Sequence, residues 1–387
     1  MPYGSSLERL RESNRRAITA LLSAEGPMSR ADLVRGTGLS RTTVSSLIGE
    51  LIAAGHVVET TDRGRPHKGG SGRPPLLVAL ATPGGGVAGV DIGHGHVRVA
   101  VANRRGLVHI EQTEVVDVDD NGHEALDLAA RMVRRGLAAA GLAESDLAGV
   151  GMCVPAPLDR RSTRVRTAIL PGWREISPAE ELHRRLEVPV FADNDANLGA
   201  LAELGHGAAR GASDVVYVKV ASGLGAGIVL GGRLHRGTTG MAGELGHVQV
   251  GEEGQVCRCG NRGCLETLVS APRLLEILQP AYDEPLSVER MLALEIAGDA
   301  GVRRVLSDAG RAVGRALADL CNNLNPELVV VGGSLGASAG LDEAIRGAIE
   351  RYTQPDAVAA LRVVPGELGD RAEVVGAVSL AIARTSV

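Results

Sequence analysis

The sequence has no run of roughly 18 uninterrupted apolar residues, the length a membrane span needs, and no basic-then-apolar segment ahead of its first polar helix. The first absence excludes a helical membrane protein, and the two together set the expectation of a cytoplasmic protein with no membrane partner. Cysteine is scarce as well. Five in 387 residues make an odd, sparse set for a disulfide framework, and three of them crowd between Cys257 and Cys264, which suits metal binding better. Lysine is rarer still, so nearly all of the 41 basic side chains are Arg, a bias ascribed to genome composition before chemistry. Hydrophobic residues are not lacking: at 44% they supply apolar surface for two or three cores.

The net charge of -5 hides an asymmetry. Residues 1–82 carry 11 Arg or Lys against 7 Asp or Glu, and the rest of the chain carries 30 against 39. The basic end is where nucleic acid would bind, although solvated helix faces often carry a similar surplus.

That end reads as three helices. Ser13 to Ala24 repeats Ala17, Ile18, Leu21 and Leu22 at helical spacing and stops at Gly26-Pro27. Ser29 stands as an N-cap before a short helix, with Asp32 in the capping-box position and a close around Gly36 to Gly38. Ser40 caps a third helix, Arg41 to Ala54, whose inward side is Val44, Leu47, Ile48, Leu51 and Ile52. Its leading face of Arg41, Thr42, Thr43 and Ser45 stays exposed, the pattern of a helix-turn-helix recognition helix, and with Ser40 these are the candidate DNA contacts on the helix. Two strands follow, His56 to Thr60 and Leu76 to Leu80, around a loop bearing Arg63, Arg65 and Arg73. This is a wing whose Gly- and Pro-rich backbone can hold Arg in a narrow minor groove; the competing reading is a disordered linker.

From Val87 the chain becomes α/β, and one unit occurs twice. Val87 to Val101 reads strand, Asp91-Ile92-Gly93 turn, strand, then a hairpin at Asn103 to Gly106; Val215 to Leu230 reads strand, Ser222 to Gly225 turn, strand, then Gly231-Gly232. The repetition predicts two lobes of similar topology with a cleft between them. The expected domains are 1–82, a winged helix-turn-helix; 83–200, lobe one; and 201–387, lobe two, with a last helix from Ala372 to Ala383 returning to lobe one.

The strongest chemical motif is Cys257-Arg-Cys259-Gly-Asn-Arg-Gly-Cys264 with His247 upstream. Three thiolates and an imidazole fill a tetrahedral zinc site with no open position, so the expected ion is structural; the bland alternative is buried free cysteines. Around it lie Gly243-Glu244-Leu-Gly-His247 and Glu266, which offer hydrogen-bonding groups to vicinal hydroxyls, with His247 able to serve both metal and ligand through its two nitrogens. Upstream, Asn194-Asp195-Ala-Asn197 ends a strand and opens a helix at the lip of the cleft. An Asp there can take a proton from a hydroxyl attacking a phosphoryl group, though taken alone the run reads as a turn or helix cap.

These motifs together resemble the ROK family (repressors, open reading frames and kinases) from about residue 13 to the C-terminus, in its repressor-type arrangement. The resemblance implies an actin-like, hexokinase-type two-lobed fold. It also implies a sugar held by Asn194, Asp195, Glu244, His247 and Glu266, and Asp195 as catalytic base in members that phosphorylate. Kinase members of the family carry Asp-x-Gly-Gly-Thr, whereas this chain has Asp91-Ile92-Gly93-His94-Gly95. An imidazole replaces the second Gly and the Thr hydroxyl is lost. That counts against ATP and magnesium, even though Gly223, Gly225, Gly332 and Gly333 stand in the family's other nucleotide-side loops. Ile169 stands where many members have Asn, a change that bears on which sugar fits.

Three functions compete: a sugar-gated transcription regulator, expected to bind operator DNA as a homodimer or homotetramer; an active ATP-dependent sugar kinase; and a zinc-stabilised DNA-binding protein without a ligand. The intact sugar-side residues count against the third and His94 against the second. The expectation is a repressor of carbohydrate metabolism.

Overall fold

The computed structural model describes residues 6–53, 57–63, 76–80, 85–165 and 169–386. The chain divides into two compact units, Met1–Gly84 and Gly85–Val387.

In the first unit, α1 (Ser6–Glu25), a short β1 (Met28–Ser29), α2 (Arg30–Thr37) and α3 (Arg41–Ala53) precede β2 (Val57–Arg63) and β3 (Leu76–Leu80). The strands form an antiparallel sheet in the order β1-β3-β2. The capping box is present: the Ser29 hydroxyl accepts from the Asp32 N–H at 3.2 Å while the Asp32 carboxylate accepts from the Ser29 N–H. Gly38, at φ 70°, ends α2 in the left-handed region that glycine adopts without strain. Ile18, Leu22, Leu33, Val44, Leu47, Ile48 and Val78 make one core. Helix α1 begins at Ser6 rather than Ser13, and its first half is tied to α3 by ion pairs, Arg15 reaching Glu50 at 2.8 Å and Arg11 reaching the same carboxylate.

The second unit holds the predicted repetition. Lobe one contains β4 (Gly86–Gly93), β5 (His96–Asn103), β6 (Val108–Val115), α4 (Gly122–Ala139), β7 (Leu147–Val154), α5 (Pro178–Leu186) and β8 (Val190–Asn194). Then come α6 (Asp195–His206), β9 (Val215–Val220), β10 (Leu224–Leu230), β11 (Arg233–His235), α7 (Glu266–Val269), α8 (Ala271–Leu278), α9 (Val288–Ala297) and α10 (Ala300–Leu324). The chain closes with β12 (Leu328–Gly332), α11 (Ala339–Tyr352), α12 (Pro355–Ala360), β13 (Arg362–Pro365) and α13 (Ala372–Thr385). The sheets run β6-β5-β4-β7-β8 and β11-β10-β9-β12-β13. In each, the first two pairings are antiparallel and the last two parallel.

Strand β4 runs through Gly93, so Asp91, Ile92 and Gly93, expected as the turn, belong to the strand and the turn is His94-Gly95. Helix α13 lies against β4, β7 and α6. Its approach is close: a Cβ on Gly151 of β7 would stand 1.9 Å from the Ala377 carbonyl oxygen, so any side chain there would push the helix away.

Candidate functional site

On the first unit, α3 exposes Arg41, Thr42 and Ser45, with Thr43 half-buried. The Ser40 hydroxyl accepts from the Thr43 N–H at 3.1 Å and lies 2.8 Å from both Thr hydroxyls, so its oxygen is engaged in capping the helix. Arg63 belongs to β2; its side chain and the whole of Arg65 and Arg73 lie outside the described residues.

In the second unit, the end of β8, the β9–β10 turn and the loop before α7 converge on one cleft, lined among others by Asn194, Asp195, Glu244, His247 and Glu266. Asn194 is the N-cap of α6, its side-chain oxygen accepting from the Ala196 and Asn197 N–H groups. Asp195 follows at the first helical position, where the positive end of the helix favours a carboxylate. Behind them, Asp193 accepts from Asn197 at 2.8 Å and from Arg236 Nε at 2.7 Å, which fixes the strand-to-helix corner. Glu266 accepts from the Leu224 N–H at 3.0 Å. Burial, with the charges of Asp195 and Glu266 nearby, pushes the Glu244 carboxyl up to about 7. Gly243, at φ 92°, could not carry a side chain, since a Cβ there would stand 1.9 Å from the Ala226 carbonyl oxygen.

His247, Cys257, Cys259 and Cys264 present four donor atoms within 4.8 Å of one another, a set that could hold a metal ion. Nδ1 of His247 faces Cys257 Sγ at 3.6 Å and Nε2 faces Glu244 Oε2 at 3.6 Å. The imidazole therefore points one nitrogen into the cysteine cluster and the other toward the cleft.

On the side where phosphates would sit, His94 lines the cleft and its Nδ1 is 2.6 Å from Asp119 Oδ1. A pinned side chain occupies the position where the sequence motif of a kinase has Gly. Asp91 is buried in β4, with His96 Nε2 at 3.0 Å and the Cys153 thiol donating at 3.2 Å. Burial works against its charge, but His96 outweighs it and holds the carboxyl below its usual range. Gly223 and Gly225 line the cleft. Gly332 and Gly333 have a packing reason to be Gly: a Cβ on the first would meet the Tyr217 hydroxyl at 2.4 Å, and the second, at φ 81°, would meet the Val220 carbonyl oxygen at 2.5 Å.

Sequence reasoning missed Lys219. On β9 its ammonium lies 2.8 Å from Asp195 Oδ2 and 3.1 Å from Glu373 Oε1 of α13. Burial alone would lower the lysine, yet Asp195, Glu373 and Asp91 outweigh it and hold Lys219 well above its usual range. A lone charge in the run Val215-Val-Tyr-Val-Lys-Val was the available signal, since a buried charge requires a partner. Arg258 was missed too; from inside the cysteine loop it stands 3.9 Å from Asp119 and 3.8 Å from Glu266.

A model of the ROK family matches residues 87–384, and a model of the MarR family matches residues 14–65. The chain is 29% identical over 375 residues to the xylose repressor of Bacillus subtilis (strain 168), covering 96% of each chain. It is 32% identical over 311 residues to the glucokinase of Thermotoga maritima, covering 76% of this chain and 96% of that one. Among solved structures, a ROK family transcriptional regulator, a homolog of the E. coli MLC protein, matches with a TM-score of 0.81 at 26% identity, covering 97% of this chain and 96% of that one. With a MarR-type winged helix ahead of an actin-like, two-lobed domain, this chain belongs to the ROK family.

Proposed function

We propose that this protein is a sugar-responsive transcription regulator of carbohydrate metabolism, a repressor whose winged helix reads operator DNA and whose interlobe cleft takes the sugar. One observation carries the reading. The chain joins a winged-helix unit to a cleft in which Asn194, Asp195, Glu244, His247 and Glu266 converge, while the hairpin on the phosphate side carries His94 pinned by Asp119. The similarity to the Bacillus subtilis xylose repressor over 96% of both chains supports it. The domains divide at 82 and 200, the protein acts in the cytoplasm as a homodimer or homotetramer, and no described helix is long and apolar enough to cross a membrane.

On DNA, Arg41, Thr42, Thr43 and Ser45 face the major groove, and Arg63, Arg65 and Arg73 reach the minor groove. Ser40, which caps the helix through its hydroxyl, contacts the DNA beside them.

Zinc fits the His247, Cys257, Cys259 and Cys264 cluster. Bonds of about 2.1 Å to nitrogen and about 2.3 Å to sulfur give a tetrahedron edges of about 3.6–3.8 Å. The observed Cys257–His247 and Cys259–Cys264 separations are 3.6 and 3.7 Å. Bound there, zinc supplies a structural crosslink, and the chain's own contribution is to aim His247 Nε2 and Glu244 at the cleft.

A kinase reading has in its favour the similarity to the Thermotoga maritima glucokinase and the placement of Asp195 at the start of α6 in the cleft, where it would serve as base. ATP with magnesium would then be the cofactor. The test is a thermal-shift screen of sugars and phosphosugars, followed by operator binding with and without each hit and a coupled ATPase and sugar-phosphate assay. Sugar-dependent operator binding without turnover is the expected result. Robust turnover abolished by Asp195→Asn would establish the enzyme, and activity gained by His94→Gly with Gly95→Thr would identify the hairpin as its block.

A further inference from the structure

Lys219 is the single charged side chain on β9, and its ammonium sits where the two lobes meet. It touches Asp195 at the start of α6 and Glu373 at the start of α13, and it feels the charge of Asp91 on β4. The side chains of Asp195, Glu373 and Asp91 are 14%, 4% and 4% exposed. Buried carboxylates converging on the reacting side of a phosphoryl-transfer cleft are the arrangement that recruits a divalent cation, which takes one or two carboxylates together with phosphate oxygens. In this chain the positive charge is covalently part of a strand.

We propose that Lys219 is a built-in substitute for a divalent cation at the foot of the cleft: its ammonium pairs with Asp195, fixes it as a hydrogen-bond acceptor, lies against Glu373, and excludes Mg2+. The geometry of Asp195 is consistent with this division. Its Oδ1 accepts from the Ala196 N–H at 2.8 Å and its Oδ2 from Lys219 at 2.8 Å, so the carboxylate is held by both oxygens. Asp91 needs no metal, because His96 and Cys153 already donate to it. Lys219 is thus a positioning residue, and it suppresses phosphoryl transfer independently of His94. The proposal deepens the regulator reading and rests on Asp195 as a sugar ligand only for the meaning of its fixed orientation.

The probe is Mn2+, a carboxylate-seeking ion whose free concentration is counted by spin resonance, added to zinc-loaded full-length protein. Wild type and Lys219→Arg, which keeps the charge, are expected to show no Mn2+ site that depends on Asp195. Lys219→Gln is expected to gain about one Mn2+ per chain, lost again when Asp195→Asn is added. Should Lys219→Gln not fold, Lys219→Met removes the ammonium while keeping the apolar stem and both carboxylates, and carries the same comparison. Wild-type Mn2+ binding abolished by Asp195→Asn, or a folded Lys219→Gln variant that gains no site, overturns the proposal. No arm needs sugar or DNA, so failure here is distinguishable from failure of the regulator reading, which the sugar and operator assays decide.

Discussion

Replacing Asp195 by Asn keeps the shape of the side chain, removes its charge, and should act on stability and affinity by separable amounts. Asp195 Oδ2 lies 2.8 Å from Lys219, and the two side chains are 14% and 16% exposed. Breaking a fully buried ion pair costs about 3–5 kcal/mol, because a charge is left without a partner. Here Glu373 remains 3.1 Å from the ammonium and the Asn oxygen still accepts a hydrogen bond, so the expected loss is smaller, about 1–2 kcal/mol. For the sugar, a hydroxyl donating to a carboxylate is worth about 1.5–3 kcal/mol and one donating to a neutral oxygen roughly half that. The difference of about 0.8–1.5 kcal/mol is a sugar weaker by about three- to tenfold. Thermal unfolding and calorimetric titration with a sugar hit measure the two quantities, and operator release should then need about three- to tenfold more sugar while operator affinity without sugar stays unchanged. Asp195→Asn with a lowered Tm and an unaltered sugar affinity would refute the reasoning and leave Asp195 a purely structural partner of Lys219.

The other expectations are as follows. Cys259→Ser replaces a thiolate by a harder, far less acidic ligand, so bound zinc should fall from about one per chain and the sugar-induced thermal shift should disappear, as read by metal analysis and thermal shift; full sugar affinity in zinc-free protein contradicts this. Arg41→Ala should weaken operator binding, and lose sequence preference if it contacts a base, whereas Arg63→Ala or Arg65→Ala should weaken mainly A·T-flanked sites; equal losses on A·T- and G·C-flanked operators remove the minor-groove assignment. Glu373 sets a pH slope: burial, opposed by Lys219 and aided by Asp91 and Asp195, raises its carboxyl from an ordinary 4.5 to about 7. The folded state therefore holds a proton that the unfolded chain releases, and stability should fall as pH climbs through that window. Glu373→Gln should flatten that part of the stability profile, and an unchanged slope in denaturant titrations would contradict the assignment.

What was legible in the sequence is what depends on near neighbours. Ser29 and Asp32 announce a capping box because the motif closes within one turn. The paired hairpins β4–β5 and β9–β10 announce two like lobes because each is contiguous. The cysteine cluster spans eight residues, and only His247 comes from outside it. What was not legible depends on the fold bringing distant segments together. Glu373 reaches Lys219 only because α13 returns across β4 and β7, and nothing local to either residue specifies that path. His94 reads as an obstruction in the motif, but its pinning by Asp119 comes from a loop a full hairpin away. Lys219 lies between these cases. A charge inside an otherwise apolar strand cannot be buried unpaired, so the sequence requires a carboxylate partner for it. The topology decides which one: α6 starts beside β9, and its first residue is the carboxylate already assigned to the sugar. The residue that looks least at home in its strand is therefore the one that ties the sugar-side carboxylate to the C-terminal helix.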